Sequence, residues 1–254
     1  MHSKERCTRR AVVVLFLALT FCATAQAEDT HTAVSGQTAV VSDYLFRGLS
    51  QTDRGPALQA GIEYDARNGI YAGAWGSNIS WLSDASTDAA PISSSLEIDG
   101  YAGWRTTLDN GISLDAGLYG YDYPGSYPSG FTSPNTLEAY AGVGYAGLIL
   151  KYSHALTNLF GFDHSRNSHY LDLSWSHGFA QAWSLSAHVG HQTVEHAIDA
   201  SYTDWNIAVA RSFAHDLSVS LGYYDTNASR AVYTNARNHY LGHATAVLSL
   251  SKGF

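Results

Sequence analysis

Through most of this 254-residue chain, apolar residues recur at every second position, in segments of about 9–15 residues parted by turn-forming residues. Twelve such segments can be placed, at 36–47, 56–66, 69–81, 95–105, 111–123, 136–146, 148–157, 168–177, 183–194, 202–213, 217–226 and 239–254. The connections between them alternate in length. Arg67-Asn68-Gly69, Thr106 to Asn110, Ala146-Gly147, Gly178 to Ala182 and Ala214 to Asp216 are short, while 48–55, 82–94, 124–135, 158–167, 195–201 and 227–238 are long. Short turns at one end and long loops at the other, over an even strand number, form the pattern of an outer-membrane barrel. A soluble sandwich has no reason to keep that parity. The expectation is an all-β, transmembrane, antiparallel up-and-down β-barrel of 12 strands.

The two ends agree. Lys4, Arg6, Arg9 and Arg10 precede a short apolar core from Ala11 to Cys22, and Ala23-Thr-Ala25 and Ala25-Gln-Ala27 offer cleavage sites. The expected organisation is a signal peptide at 1–27 and a barrel at 28–254, with too little chain before the first strand for a plug domain. At the other end HATAVLSLSKGF carries strand alternation up to a terminal aromatic, Phe254. Barrels end in this way because the last strand closes the ring and its aromatic sits in the interfacial girdle. Both termini are then periplasmic, and Phe254 is the expected handle for the barrel-assembly machinery. Lys252 departs from this ending, since a hydrophobic residue is usual two places before the terminal aromatic.

One face of the segments is free of charge away from strand ends. It includes Val40, Tyr44, Phe46, Leu58, Ile62, Leu96, Ile98, Leu118, Leu150, Leu173, Ile207, Leu221 and Leu248. An Arg or Lys facing lipid near the midplane costs about 2–4 kcal/mol, so this face is expected to meet lipid. In the segment at 69–81, Tyr71/Trp75/Ile79 and Ile70/Ala72/Ala74 fit that face equally well. Aromatics fall into two belts. Tyr64, Tyr71, Trp104, Tyr145, Trp175, Trp183, Phe213 and Phe254 belong to the inner rim, and Phe46, Trp81, Trp205, Tyr223 and Tyr240 to the outer.

The stretch SDYLFRGLSQTDRGPALQAGIEYDARNGIYAGAWGSNISW, from Ser42 to Trp81, resembles the opening signature of the TorF porin family. LEIDGYAGW, LDAGLYGYDYPG, YLDLSWSHGF and YTDWNIAVARSF follow in the same order, so the resemblance spans essentially the whole chain after residue 27. It implies a Gram-negative outer-membrane barrel, in contact with outer-membrane lipid and lipopolysaccharide, and no particular substrate or functional residues.

The opposite face supplies the lumen: Asp43, Arg47, Glu63, Asp65, Glu97, Asp99, Arg105, Asp115, Glu138, Lys151, Asp172 and Asp204, nine acids against three bases. Acidic linings raise local cation occupancy. The expected function is passive diffusion of small solutes, preferentially cations or neutral molecules. Asp43, Arg47, Glu63, Glu97, Asp99, Asp115, Glu138 and Asp172 are the candidate pore-lining residues. Asp43 and Arg47, four apart, are expected on one face of one strand about 13 Å apart, unable to pair directly. The alternative is that these charges pair across the interior and close it, leaving a structural or binding barrel without an open pore.

Other chemistries find less support. Cys7 and Cys22 both lie before residue 28, so cysteine nucleophiles and cysteine metal sites are excluded from the expected mature chain. Without residues 1–27 the chain holds ten bases and twenty-one acids, a net charge of −11 that argues against nucleic acid. The histidines show no metal-ligand spacing, and no metal or cofactor is expected. A lipid-modifying enzyme would need a Ser–His pair on the wall. Ser186 and His188 share the inward face, but no carboxylate or oxyanion donor can be assigned to them, and no catalytic residue is expected.

Overall fold

In a computed structural model, residues 33–66 and 68–254 are described, and the expected signal peptide at 1–27 lies outside them. Twelve strands follow one another: β1 Ala33–Val41, β2 Ala57–Asp65, β3 Ile70–Asn78, β4 Leu96–Thr107, β5 Ser113–Asp122 and β6 Thr136–Tyr145. The second half contains β7 Leu148–Ala155, β8 His169–Ala180, β9 Trp183–Thr193, β10 Tyr202–Ser212, β11 Leu217–Thr226 and β12 Thr245–Gly253. Each pairs antiparallel with its sequence neighbours, and β12 returns to β1 to close the ring. Closure leaves no strand edge unpaired, the condition for burying strands in a medium that offers no hydrogen bonds.

The last residue takes part in that closure. Gly36 donates its N–H to the Phe254 carbonyl at 2.9 Å, and Phe254 donates to the Gly36 carbonyl at 3.0 Å. The Phe254 side chain stays 71% exposed on the outside. Lys252, the irregular residue of the ending, is also exposed. Its ammonium donates to the His215 carbonyl and, at 2.8 Å, to the Gly253 carbonyl, so its charge is met at the rim.

The period-2 pattern resolves as expected on most of the wall. Val40, Leu58, Ile62, Leu96, Ile98, Leu118, Leu150, Leu173, Ile207, Leu221 and Leu248 are exposed outside. So are Tyr64, Trp104, Tyr145, Trp175, Trp183 and Phe213 near the short-turn end, and Trp205 and Tyr223 near the other. The ambiguous third strand points Ile70, Ala72 and Ala74 outward and buries Tyr71, Trp75 and Ile79 inside.

Several expected positions are corrected. β1 ends at Val41 rather than at 47, and β12 begins at Thr245 rather than at 239. Tyr44, Phe46, Tyr71, Trp81 and Tyr240 do not belong to the outer face. Tyr44 and Trp75 pack edge to face at 5.5 Å, Phe46 meets Tyr121 at 5.5 Å, and Trp81 meets Tyr123 at 5.5 Å, all in one buried cluster. Tyr240 is buried with Tyr202 and Tyr233 under the long loops. Alternation marks an apolar side chain without saying whether lipid or an aromatic-lined interior receives it.

Tyrosines that turn inward need room on the neighbouring strand, and glycine supplies it. A Cβ on Gly103 would lie 2.6 Å from the Tyr71 hydroxyl and 2.7 Å from the Ala116 carbonyl oxygen. Gly103→Ala is therefore expected to destabilise the barrel by about 1–3 kcal/mol, the usual cost of overpacking. Denaturant unfolding of refolded protein measures it, and an unchanged midpoint would show that Tyr71 swings away freely.

Candidate functional site

After β1 the chain does not continue along the wall but folds into the barrel. Ser42 still donates its N–H to the Leu248 carbonyl at 2.9 Å. Then Leu45–Phe46 pairs with Leu49–Ser50 as a small hairpin whose two turn residues are Arg47 and Gly48. Both have positive φ, 47° and 78°, as the favoured two-residue hairpin turn requires. Gly48 is needed for a second reason, because a Cβ there would lie 2.6 Å from the Asp204 Cβ on the wall. The hairpin tip thus abuts β10.

Asp43 fastens the base of this hairpin. Its Oδ1 accepts from the Ser50 hydroxyl at 2.6 Å and from the Thr52 hydroxyl at 3.3 Å. Burial raises the Asp43 carboxyl above its ordinary range, while those two hydroxyls oppose the rise. Asp43 and Arg47 are therefore not two positions of one strand, as the alternation predicts, but the base and the tip of an infolded loop.

Arg47 reaches across the lumen. Its guanidinium donates to Glu138 on β6 twice, at 3.0 and 2.7 Å, and to the Gln192 side-chain oxygen on β9 at 2.6 Å. It also lies 4.9 Å from the Phe46 ring centre and 4.3 Å from that of Tyr170. The Arg47 and Glu138 side chains are 7% and 2% exposed, so the pair is buried, and its forked geometry is the arrangement in which a buried pair holds best.

Beside it stands His188 of β9. Its Nδ1 lies 2.6 Å from Asp172 and its Nε2 2.8 Å from Asp204. Tyr170 donates to the other oxygen of Asp204 at 2.9 Å. A doubly protonated ring offers a donor to each carboxylate. A second layer, towards the short turns, joins Arg105 to Glu63 at 2.6 Å and to Asp65. In that layer Tyr71 donates to Asp115 at 2.6 Å and touches the Tyr140 hydroxyl.

Each candidate pore-lining residue, Asp43, Arg47, Glu63, Glu97, Asp99, Asp115, Glu138 and Asp172, faces the interior. The structure brings Arg47 to Glu138 and groups Glu63 with Arg105. Glu97 and Asp99 stand apart, with Tyr123 donating to Glu97 at 3.4 Å and Tyr119 to Asp99 at 2.9 Å. A cavity of about 170 Å³ is lined among others by Arg47, Asp99, Glu138, Lys151, His188 and Asp204.

Tyr170 and Gln192 are site residues that the residue pattern leaves unmarked, and His188, set beside Ser186 by the pattern, is held instead by Asp172 and Asp204. Inward parity was the one signal for His188. The carboxylates that hold it come from two other strands, so no local motif shows them.

Comparison with known proteins places the fold. The KdgM porin shares 8% identity, with 87% of this chain and 98% of that chain covered at a TM-score of 0.54. The NanC porin shares 10% over 87% and 99% of the two chains, with a TM-score of 0.50. An outer membrane channel from Pseudomonas putida F1 shares 11% over 90% and 97%, also with a TM-score of 0.50. At such identities the likeness is one of fold. No curated protein matches the sequence. Residues 24–254 match the family described as "Bacterial protein of unknown function (Gcw_chp)", and this chain, a closed twelve-stranded barrel with a charged and partly filled lumen, belongs to that family.

Proposed function

We propose that the protein is an outer-membrane channel for passive diffusion of small solutes, with cations or neutral molecules preferred. The observation that carries this reading is the interior of the closed barrel, where Asp99, Glu138, Asp172 and Asp204 line one cavity against Arg47 and Lys151. The apolar outer face and the porins that share the fold agree with a membrane setting, as does the resemblance to TorF porins. The termini would then be periplasmic, and export would remove residues 1–27. Outer-membrane lipid, lipopolysaccharide and the barrel-assembly machinery would be its partners.

The infolded hairpin sets the size limit. A cavity of about 170 Å³ is smaller than the roughly 300–1,000 Å³ that receives drug-sized ligands, so solutes of few heavy atoms are expected. Arg47 at the hairpin tip acts as the constriction, with Glu138 and Asp172 on the facing walls, and Asp43 holds the base of the hairpin.

A second reading, a structural or binding barrel without an open pore, draws on one observation: Arg47–Glu138 and Asp172–His188–Asp204 span the interior. Conductance separates the two. In a planar bilayer under a salt gradient the purified protein should give discrete steps and a reversal potential of cationic sign. Absence of steps sinks the channel, and anion selectivity sinks the charge argument.

A further inference from the structure

The lumen charges divide unevenly. Arg47, Lys151 and His188 stand on the side of Glu138, Asp172 and Asp204: Arg47 pairs with Glu138, His188 bridges the two aspartates, and Lys151 is the register partner of Asp172 on the next strand. Glu97 and Asp99 of β4 have no such company. Neither forms an ion pair among the described residues, and two places apart on one face they lie about 7 Å from each other.

Both are deeply buried, at 1% and 2% exposure. Tyr123 donates to Glu97 and Tyr119 to Asp99, while Glu97 Oε2 and Asp99 Oδ1 are buried without a geometric hydrogen-bond partner among the described residues. A buried carboxylate lacking a countercharge is costly, and a cation supplied from outside removes the cost.

The surroundings choose the kind of cation. Asp99 opens on the lumen cavity together with Tyr44, Trp75, Tyr119 and Tyr121. Tyr44 and Trp75 meet edge to face at 5.5 Å, and Tyr119 and Tyr121 lie 4.6 Å apart. Aromatic faces attract cations whose hydration is weak, quaternary ammonium groups above all. A calcium or magnesium ion takes about six or more oxygens, and two carboxylates among rings do not provide them.

We propose that Asp99, boxed by Tyr44, Trp75, Tyr119 and Tyr121 and supported by Glu97, binds a small organic ammonium cation inside the barrel. The site rests on the cation-preferring reading of the lumen and names the class of cation.

Tetramethylammonium is the probe. Saturation-transfer NMR on the full protein in maltoside micelles should give a saturable methyl signal that an equal concentration of potassium does not displace. Asp99→Asn should weaken the affinity about tenfold, the scale of one desolvated charge contact. Asp109→Asn, exposed in the short turn between β4 and β5, should leave it unchanged. Heat-modifiable gel migration reports folding of each variant, and Glu97→Gln, expected to weaken binding, carries the test if Asp99→Asn does not fold. A missing signal, displacement by equal potassium, or full affinity in a folded Asp99→Asn barrel overturns the proposal. Binding is read without a bilayer, so its failure leaves bilayer conductance to be judged by itself, and absent steps would fault the channel reading alone.

Discussion

Arg47→Ala is expected to destabilise the barrel by about 3–5 kcal/mol, the cost of leaving a buried charge without its partner. Glu138, 2% exposed in its side chain, would keep a single long contact from Tyr121 at 3.3 Å, and Gln192 would lose its donor. The double variant Arg47→Met/Glu138→Met should recover most of the loss, because apolar residues of similar volume often replace a buried pair without penalty. Guanidinium unfolding of refolded protein, followed by tryptophan fluorescence, measures both. The same substitution frees the hairpin tip from the opposite wall, so single-channel steps should grow. Unchanged stability in Arg47→Ala would show that the infolded loop is not held by this pair.

The second large effect concerns the outer face. Leu221 lies midway along β11, 53% exposed, with outward Val209 and Leu248 as its register partners. Leu221→Arg should cost about 2–4 kcal/mol in a bilayer, the penalty for a cation near the midplane. Ser220→Arg, one place along, points into the crowded lumen and is not an equivalent control. Arg211 is, because it lies on the same face at the end of β10, where Trp183 and Phe213 receive its guanidinium at 5.3 and 4.9 Å. Arg211→Leu should change unfolding in liposomes by less than about 1 kcal/mol. Equal sensitivity at 211 and 221 would mean that the outer band is not set against lipid.

The same contrast shows how far residues alone lead. Strand number, the alternation of short and long connections, and the inward direction of the charged candidates on the wall follow from period-2 patterning, because lipid excludes charge from one parity. The infolding of residues 42–55 does not. Tyr44 and Phe46 continue the apolar parity of β1, and a pattern extending past the end of a strand reads like more strand. Trp75 and Ile70 illustrate the same limit, since both lie on apolar parities and only the packing decided between them.

Pairing inside the barrel is less legible still. Arg47 meets Glu138, which is 91 positions away, and Gln192, which is 145 positions away. Such partners depend on the stagger of every strand between them, and sequence shows no stagger. Hence Asp172, His188 and Asp204 look like three unrelated polar residues until β8, β9 and β10 are set side by side.

By itself, the sequence determined a closed twelve-stranded ring with an apolar outside, an acidic inside and Phe254 on its last strand, since each follows from local alternation and from the cost of charge in lipid. Only the tertiary structure decided that the lumen is partly filled, that Arg47 crosses it, and that Glu97 and Asp99 form no ion pair among the described residues. Those outcomes depend on where the chain leaves the wall and how the strands are staggered. Both are settled by contacts between distant residues.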